Sequence, residues 1–223
     1  MNIISKFFQH NWIASIYLNF KMLPFKQAIK LPLDVYHGVK LFGMGGKIII
    51  NSDNIYRGMI KIGSQGSDMF PRLGCILSIE GTIIFQGTCV FGCSNSIKVL
   101  KDATLKIGEG SIFGAYNLIF ASSSINIGRN FLSSWYCQFM DSDTHTIIDL
   151  YSMKTSKMTK PINIGNHCWV GNNVSINKGS VIPDDCIIAS NSLVNKDLSN
   201  VGTNNLIAGS PAKVVRNNIK RII

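Results

Sequence analysis

Large apolar residues recur at every sixth position along three stretches of the chain, with small and polar residues between them. The stretch nearest the C-terminus runs through Ile164, Val170, Ile176, Ile182, Ile188 and Val194. Two earlier stretches keep the same period: Leu73, Ile79, Phe85, Phe91 and Ile97, then Ile107, Phe113, Ile119, Ile125 and Phe131. This period matches neither a helix nor an alternating strand. It predicts a coil with three short flat sides and one inward side chain per side. At roughly 18 residues per turn, residues 73–198 would form about six or seven coils paired as parallel strands.

Two further regularities share this phase. Glycine often follows the apolar residue, as in Gly92, Gly114 and Gly165, and we expect it to give the corner its backbone freedom. A small residue often stands two positions before the apolar one. Four of the six cysteines occupy that position: Cys89, Cys137, Cys168 and Cys186. We therefore expect these thiols to pack structurally, although a reactive thiol stays an alternative.

The six-residue rhythm stops after His145 and resumes at Ile162. A loop over 146–160 that leaves a regular solenoid indicates a function, with a tolerated insertion as the alternative. Its base reads Asp141-Ser-Asp143-Thr-His145. Histidine suits proton transfer near neutral pH, and a nearby carboxylate can fix its tautomer. These residues predict His145 as a catalytic base held by Asp143 or Asp141.

The two ends differ from the repeats. Residues 1–47 carry apolar residues at helical spacing, among them Ile3, Phe7 and Trp12, together with six lysines. This pattern predicts a helical segment that either caps the solenoid or contacts a membrane surface. We expect the β-helix over 48–198 and a tail over 199–223. Within the tail, Ser210-Pro211 predicts the start of a short basic helix.

Composition narrows the class of protein. The chain has 223 residues, 46% of them apolar and 15% charged, which excludes a disordered protein. The formal net charge of +10 favours an anionic partner, but no nucleic-acid-binding motif is present, so we expect no nucleic acid. Cysteine and histidine spacing fits no metal site. With no signal peptide and no spanning apolar run, we expect a cytoplasmic protein, or one at the inner face of the membrane, with free thiols.

The segment from Ile162 to Arg216 carries the most specific motif. It reads I-x-I-G-x-x-x-W-V-G, then regular repeats, then V-x-K-D, and finally A-G-S-P-A-K-V-V-R. This segment resembles the hexapeptide-repeat acyltransferases, in particular the maltose, galactoside and nodulation acetyltransferases and the polysaccharide O-acetyltransferases. The resemblance implies an all-β solenoid, a left-handed parallel β-helix, with acetyl-CoA as donor. It also implies a homotrimer with active sites between neighbouring subunits.

The resemblance also implies roles for individual residues. The histidine before the flexible loop is catalytic in the family, which corresponds to His145. Residues expected to contact CoA are Trp169 at the thioester, Asn172, Ser190, Asn195 and Lys196 along the pantetheine arm, and Lys213 and Arg216 at the phosphates. An acceptor-contacting asparagine of the galactoside branch falls on Asn117. That branch has His-Pro where this chain has Asp-Ser-Asp-Thr-His-Thr, which favours polysaccharide or nucleotide-linked sugars.

Three functions follow as hypotheses. The first is an O-acetyltransferase in capsule, lipopolysaccharide or exopolysaccharide synthesis, in which His145 deprotonates a sugar hydroxyl that attacks the thioester. The second is an N-acetyltransferase of a nucleotide-linked amino sugar. The third is a non-catalytic β-helix scaffold. A zinc enzyme of this fold needs three histidines, and only His145 and His167 lie in the repeats, so we expect no metal.

Overall fold

The computed structural model describes residues 9–64, 69 and 74–222. Within them, short strands numbered in chain order form three sheets. The first face contains β1 (Leu33–Val35), β4 (Ile60–Ser64), β7 (Cys89–Gly92), β10 (Ser111–Phe113), β13 (Leu132–Ser133), β16 (Trp169–Val170), β19 (Ile187–Ile188), β21 (Leu206–Gly209) and β22 (Ala212–Arg216). The second face contains β2 (Lys40–Phe42), β5 (Ile76–Ile79), β8 (Ser96–Val99), β11 (Leu118–Ala121), β14 (Gln138–Met140), β17 (Ser175–Asn177) and β20 (Leu193–Val194). The third face contains β3 (Lys47–Ile50), β6 (Thr82–Phe85), β9 (Thr104–Ile107), β12 (Ser124–Ile127), β15 (Ile162–Ile164) and β18 (Val181–Ile182).

From β1 to β20, successive strands of each face are three apart along the chain and pair in parallel, which is the connectivity of a three-sided parallel β-helix; at the C-terminal end β19 pairs with β21. Only β21 and β22 pair antiparallel among the described strands. The predicted 18 residues per coil holds near the C-terminus, where Ile176 pairs with Val194. Earlier coils are longer, because Phe91 pairs with Phe113, 22 positions later. The extra residues lie at corners, and they account for the phase breaks between the three hexad runs.

The inward positions of all three runs are buried within the described residues, which confirms the predicted core; Leu73 lies outside those residues. Phenylalanines from successive coils form a column inside the spiral. The ring of Phe113 lies 4.8 Å from Phe91 and 5.3 Å from Phe131, centroid to centroid. Burying this column contributes the main stabilising term, because apolar burial yields about 25 cal/mol per Å².

Gly92 and Gly114 are needed because neighbouring coils approach closely at these corners, and not because the backbone there is left-handed. Gly92 and Gly114 do not adopt a positive φ, contrary to the expected role. A Cβ on Gly114 would lie 2.4 Å from the main-chain oxygen of Ser134 in the next coil. Glycine is needed there because a side chain would push two coils apart.

The N-terminal segment forms helix α1 (Trp12–Met22) and the short helix α2 (Phe25–Ala28), whereas Ile3 and Phe7 lie outside the described residues. The Asn11 side chain caps α1 by accepting from the main-chain N–H of Ala14 at 3.0 Å. The β-helix begins at Leu33, earlier than the predicted residue 48. No helix in the described part of the chain is long and apolar enough to cross a membrane.

The predicted C-terminal helix is wrong. Residues after Ser210-Pro211 form β22, which folds back antiparallel onto β21. The reason is that without β22 the edge of β21 would have unpaired backbone groups, and the β-branched pair Val214-Val215 suits a strand that covers such an edge. A 3-10 helix (Ser199–Val201) precedes this hairpin.

Candidate functional site

The exposed loop over 146–160 leaves the spiral at the corner between the second and third faces, after β14, and returns to β15. Two antiparallel bridges, Ser142 with Thr159 and Ile148 with Thr155, make it hairpin-like. The side chain of Asp141 anchors the base of this loop through hydrogen bonds. Asp141 is fully buried, and its two carboxylate oxygens accept hydrogen bonds from the main-chain N–H groups of Ser122 and Ser123, both at 2.7 Å. These partners lie in the preceding coil.

His145 is exposed at the start of this loop. Its Nδ1 lies 3.0 Å from the Thr144 hydroxyl and 3.4 Å from the main-chain oxygen of Asp143. The Thr144 hydroxyl donates its one proton to that same oxygen at 2.6 Å, so towards the imidazole it can only accept. Both neighbours of Nδ1 are therefore acceptors. A neutral imidazole with its proton on Nδ1 fits both neighbours, and this tautomer leaves the lone pair on Nε2.

The carboxylates act differently from the sequence-based prediction. Asp141 is engaged by backbone N–H groups, and the Asp143 carboxylate pairs with Lys178. Lys178 also donates to the main-chain oxygen of Lys157 at 2.6 Å, so it ties both arms of the loop. The structure thus assigns the orientation of His145 to a hydroxyl and a main-chain carbonyl. Neither carboxylate is the orienting group in this arrangement.

Trp169 lies on the outer side of the first face, 36% exposed, and its indole N–H donates to the Ser134 hydroxyl at 3.3 Å. At the adjacent corner, between the first and second faces, the Ser190 hydroxyl donates to the Asn172 side-chain oxygen at 2.5 Å. Asn172 and Ser190 are at the surface and belong to successive coils. They form a polar edge beside the indole.

A cross-strand column connects Trp169 to the basic end of the chain. Trp169 pairs with Ile187, Ile187 with Leu206, and Leu206 with Arg216. Three strand spacings of about 4.8 Å place Arg216 roughly 14 Å from Trp169 along the spiral axis. Lys213 is also exposed on the same terminal strand. One face therefore carries an aromatic group at one end and two cations at the other.

The remaining predicted CoA contacts lie elsewhere. Asn195 and Lys196 are exposed just after β20, at the loop corner. Extending the register of β17 and β20 places Lys196 next to Lys178 in the adjacent coil. These two residues are thus close to the base of the loop, and Trp169, Asn172 and Ser190 are on other sides of the spiral.

The assignment of Asn117 to the acceptor is wrong for this structure. Its side chain is 1% exposed and fully used within the corner. Its amide group donates to the main-chain oxygens of Gly114 and Ser134 and to the Ser133 hydroxyl, and its oxygen accepts from the main-chain N–H of Cys137 at 2.8 Å. Asn95 makes the same kind of contact one coil earlier. Asn117 is a rung of an internal amide ladder.

The cysteines behave as small apolar residues. All six are buried and free. Burial raises the pKa of Cys75 and Cys137 to about 11 and that of Cys168 to about 12. Reactive thiols need a lowered pKa and access to solvent, so these groups are unsuited to nucleophilic chemistry. No cluster of three or more metal-ligating side chains is present among the described residues.

Sequence reasoning missed a stacked tyrosine pair. The rings of Tyr116 and Tyr136 lie 4.9 Å apart at the corner between the first and second faces. Both residues adopt a φ of 59°, which is unusual for a bulky side chain. Tyr136 is about half exposed. Their spacing of 20 residues was a signal, but it lies outside the six-residue phase.

A groove of about 550 Å³ runs along the third face. Its lining includes Lys106, Asn126, Arg129 and Asn163. Asn126 donates to the Asn163 side-chain oxygen at 2.9 Å across the two strands. None of the predicted site residues lines this groove. The predicted site is therefore not assembled around this cavity.

Comparison with known proteins gives one family match. Residues 161–196 match the family described as bacterial transferase hexapeptide (six repeats). The chain is 30% identical over 137 residues to the galactoside O-acetyltransferase of Escherichia coli K12, a match that covers 53% of this chain and 66% of that protein. It is 30% identical over 124 residues to the polysialic acid O-acetyltransferase of Escherichia coli O1:K1, covering 55% and 39%. The chain thus spans less than two thirds of either relative.

A longer match has no assigned activity. Over 200 residues, 90% of this chain and 86% of the relative, the chain is 30% identical to an uncharacterized 24.8 kDa protein in the cps region of Klebsiella pneumoniae. Among solved structures, the polySia-specific acetyltransferase NeuO superposes with a TM-score of 0.54 at 24% identity, covering 86% of this chain and 89% of that one. This likeness supports the fold.

Proposed function

We propose that this chain, which matches the bacterial transferase hexapeptide family over residues 161–196, transfers an acetyl group from acetyl-CoA to a sugar hydroxyl of a bacterial surface polysaccharide. Relatives named for galactoside and polysialic acid O-acetylation support this reaction class and acceptor. The observation that carries the proposal is the orientation of His145. An exposed imidazole with its lone pair on Nε2 has the form that a general base requires.

In the proposed reaction, Nε2 of His145 accepts the proton of the sugar hydroxyl as its oxygen attacks the thioester carbonyl carbon. The tetrahedral intermediate then expels the CoA thiolate, which takes the proton from the imidazolium. The Nδ1–H stays directed at the Thr144 hydroxyl and the Asp143 carbonyl, which stabilise the positive charge. The ion pair of Asp143 with Lys178 keeps that carbonyl in place.

Acetyl-CoA fits the outer side of the first face. The donor is a long, thin molecule with phosphates at one end and a thioester at the other. Trp169 would contact the thioester end, and Lys213 and Arg216, roughly 14 Å away along the column, would neutralise phosphates. Asn172 and Ser190 offer hydrogen-bonding groups for the amides of the arm. Asn195 and Lys196 of a neighbouring subunit would contact it from that subunit's loop corner.

This arrangement requires a second copy of the chain. Trp169 lies on the first face, and His145 lies at the corner that joins the other two faces. One thioester cannot reach both positions of the same spiral, because the width of the packed core separates them. We propose a homotrimer in which the loop corner of one subunit lies against the first face of the next. The stacked Tyr116 and Tyr136 would then offer an aromatic surface for a sugar ring.

The test compares two histidines. His145→Asn removes the base, and His167→Asn is the matched control, because His167 is a partly exposed repeat residue whose φ of 57° suits asparagine. Turnover is measured both as release of CoA and as formation of the acetylated sugar. CoA binding is measured by calorimetry. We expect His145→Asn to lower turnover about 10²–10⁴-fold with CoA binding unchanged, and His167→Asn to retain activity.

Wild-type turnover in His145→Asn would contradict the assignment. The acceptor panel contains neutral sugars, sialic acid polymers and amino sugars. Turnover restricted to amines would identify an N-acetyltransferase, and failure to bind CoA would identify a scaffold.

A further inference from the structure

Helix α1 presents its large apolar residues to the outside of the protein. Ile13, Ile16, Tyr17 and Phe20 follow the spacing i, i+3, i+4, i+7, which places them along one side of a helix. Ile13 is 83% exposed, and the other three are each about half exposed. A helix of a water-soluble domain normally directs such a stripe at the core, but α1 buries Leu18 and Met22 on its other side, so this stripe is a second one that faces outward.

The opposite side of α1 packs on the β-helix. Ser15 and Asn19 are buried there and bind the edge strand β1. The Ser15 hydroxyl accepts from the N–H of Val35 at 2.9 Å. The Asn19 side chain accepts from the N–H of Leu33 at 3.1 Å and donates to its carbonyl at 2.7 Å. Buried apolar residues and these polar groups together close the end of the β-helix, and the capping role makes no use of the exposed apolar stripe.

The neighbouring helix extends the apolar surface and adds charge. We call the N-terminal patch the exposed residues Ile13, Ile16, Tyr17, Phe20, Phe25 and Ile29. Lys21, Lys26 and Lys30 are exposed around it. Residues 9–33 contain no aspartate or glutamate, and the nearby Asp34 is held by His10 at 2.8 Å. Within residues 9–33 the patch is therefore apolar, and the charged residues beside it are all positive.

We propose that the N-terminal patch docks this protein on an anionic phospholipid surface. An apolar stripe bordered by lysines is the pattern of a helix that lies in a membrane interface, where acyl chains take the stripe and anionic headgroups take the lysines. A second copy fits less well, because pairing two such patches would bring their lysines together without any counter-charge. The polar anchors on β1 hold the helix so that the stripe faces outward.

The test measures sedimentation of the full chain with vesicles of phosphatidylcholine alone, or with phosphatidylglycerol added. We expect at least tenfold more bound protein on the anionic vesicles, with weaker binding as salt rises. Ile13→Ser/Phe20→Ser should abolish binding, and Ile112→Ser, a half-exposed residue on β10, should not. Thermal melts check that each variant is folded. Equal binding by the double variant and the wild type would overturn the proposal, as would absence of wild-type binding.

Two further measurements distinguish lipid docking from a contact between subunits. A triple change of Lys21, Lys26 and Lys30 to Gln should remove the preference for anionic vesicles. The matched control, Lys98, Lys101 and Lys106 to Gln, changes the net charge equally and should keep that preference. Light scattering gives the oligomeric mass of Ile13→Ser/Phe20→Ser. A lower mass than the wild type would show that the patch is a subunit contact and would overturn the proposal.

Discussion

Asp141→Asn provides the sharpest test of how the loop base is built. The two oxygens of Asp141 each accept a 2.7 Å hydrogen bond from a backbone N–H, in a fully buried position. An asparagine keeps the shape but can offer an oxygen to only one of the two N–H groups. Its NH₂ then faces the other donor. One hydrogen bond to a charged group is lost and one buried donor is left unsatisfied.

The magnitude follows from these two losses. A hydrogen bond to a charged group contributes about 1.5–3 kcal/mol, and an unsatisfied buried donor costs about 1–3 kcal/mol. Since the two overlap, we expect the free energy of unfolding to fall by about 3 kcal/mol. With a slope of about 2–3 kcal/mol per molar urea, the unfolding midpoint should fall by about 1 M. Urea titration at one fixed protein concentration, followed by tryptophan fluorescence, measures this shift.

Asp149→Asn is the matched control. Its carboxylate also accepts from two backbone N–H groups, those of Tyr151 and Ser152, although here both donate to Oδ1, and the hydrogen bonds from Ser152 lower its pKa. Asp149 is exposed in the loop, where water replaces any lost partner. We expect a much smaller change in midpoint. Equal shifts for Asp141→Asn and Asp149→Asn would refute the reasoning, because burial would then not decide the cost.

Two further predictions concern the core. Phe113→Ala should lower the free energy of unfolding by about 3–5 kcal/mol, because it leaves a cavity among stacked rings, and a midpoint unchanged from wild type would contradict the aromatic column. Burial raises the pKa of Cys75 and Cys137 from 9.0 to about 11, so the neutral folded thiols stabilise the protein below pH 9 and this stability is lost as pH rises towards 11. At pH 10 each of the two thiols should lower the free energy of unfolding by about 1.4 kcal/mol, measured by urea unfolding. In a Cys75→Ala/Cys137→Ala variant, this free energy should fall less steeply as pH rises.

The inward side of each coil was predictable from sequence because it depends on a local period. Ile176 and Val194 are inward residues whatever happens at the corners. The length of a coil was not predictable with the same accuracy. Extra corner residues shift the six-residue phase between runs, and the sequence alone does not show at which residue the strand pairing of the next coil begins.

Roles set by other coils could not be found in the sequence. Asp141 is near His145 along the chain, which suggested that it orients the imidazole. Its partners, Ser122 and Ser123, lie 19 and 18 positions earlier. The structural role of Asn117 could not be predicted for the same reason, because its hydrogen bonds connect three successive coils. The C-terminal strand is a third case, since it forms only where β21 leaves an edge to cover.

The two proposals together constrain the acceptor. Helix α1 packs on β1, at the first coil, and Trp169 lies on β16 of the same face. Five strand spacings separate β1 from β16, so the proposed thioester position lies roughly 24 Å along the axis from the strand that holds α1. With the spiral axis perpendicular to the lipid surface, a protein docked through that patch would hold its reactive groups well above the lipid headgroups. A sugar linked directly to a lipid would lie too low to reach them. A polymer that extends from the surface would reach them, and for this reason the geometry favours a polysaccharide chain over the first sugars of a lipid-linked precursor.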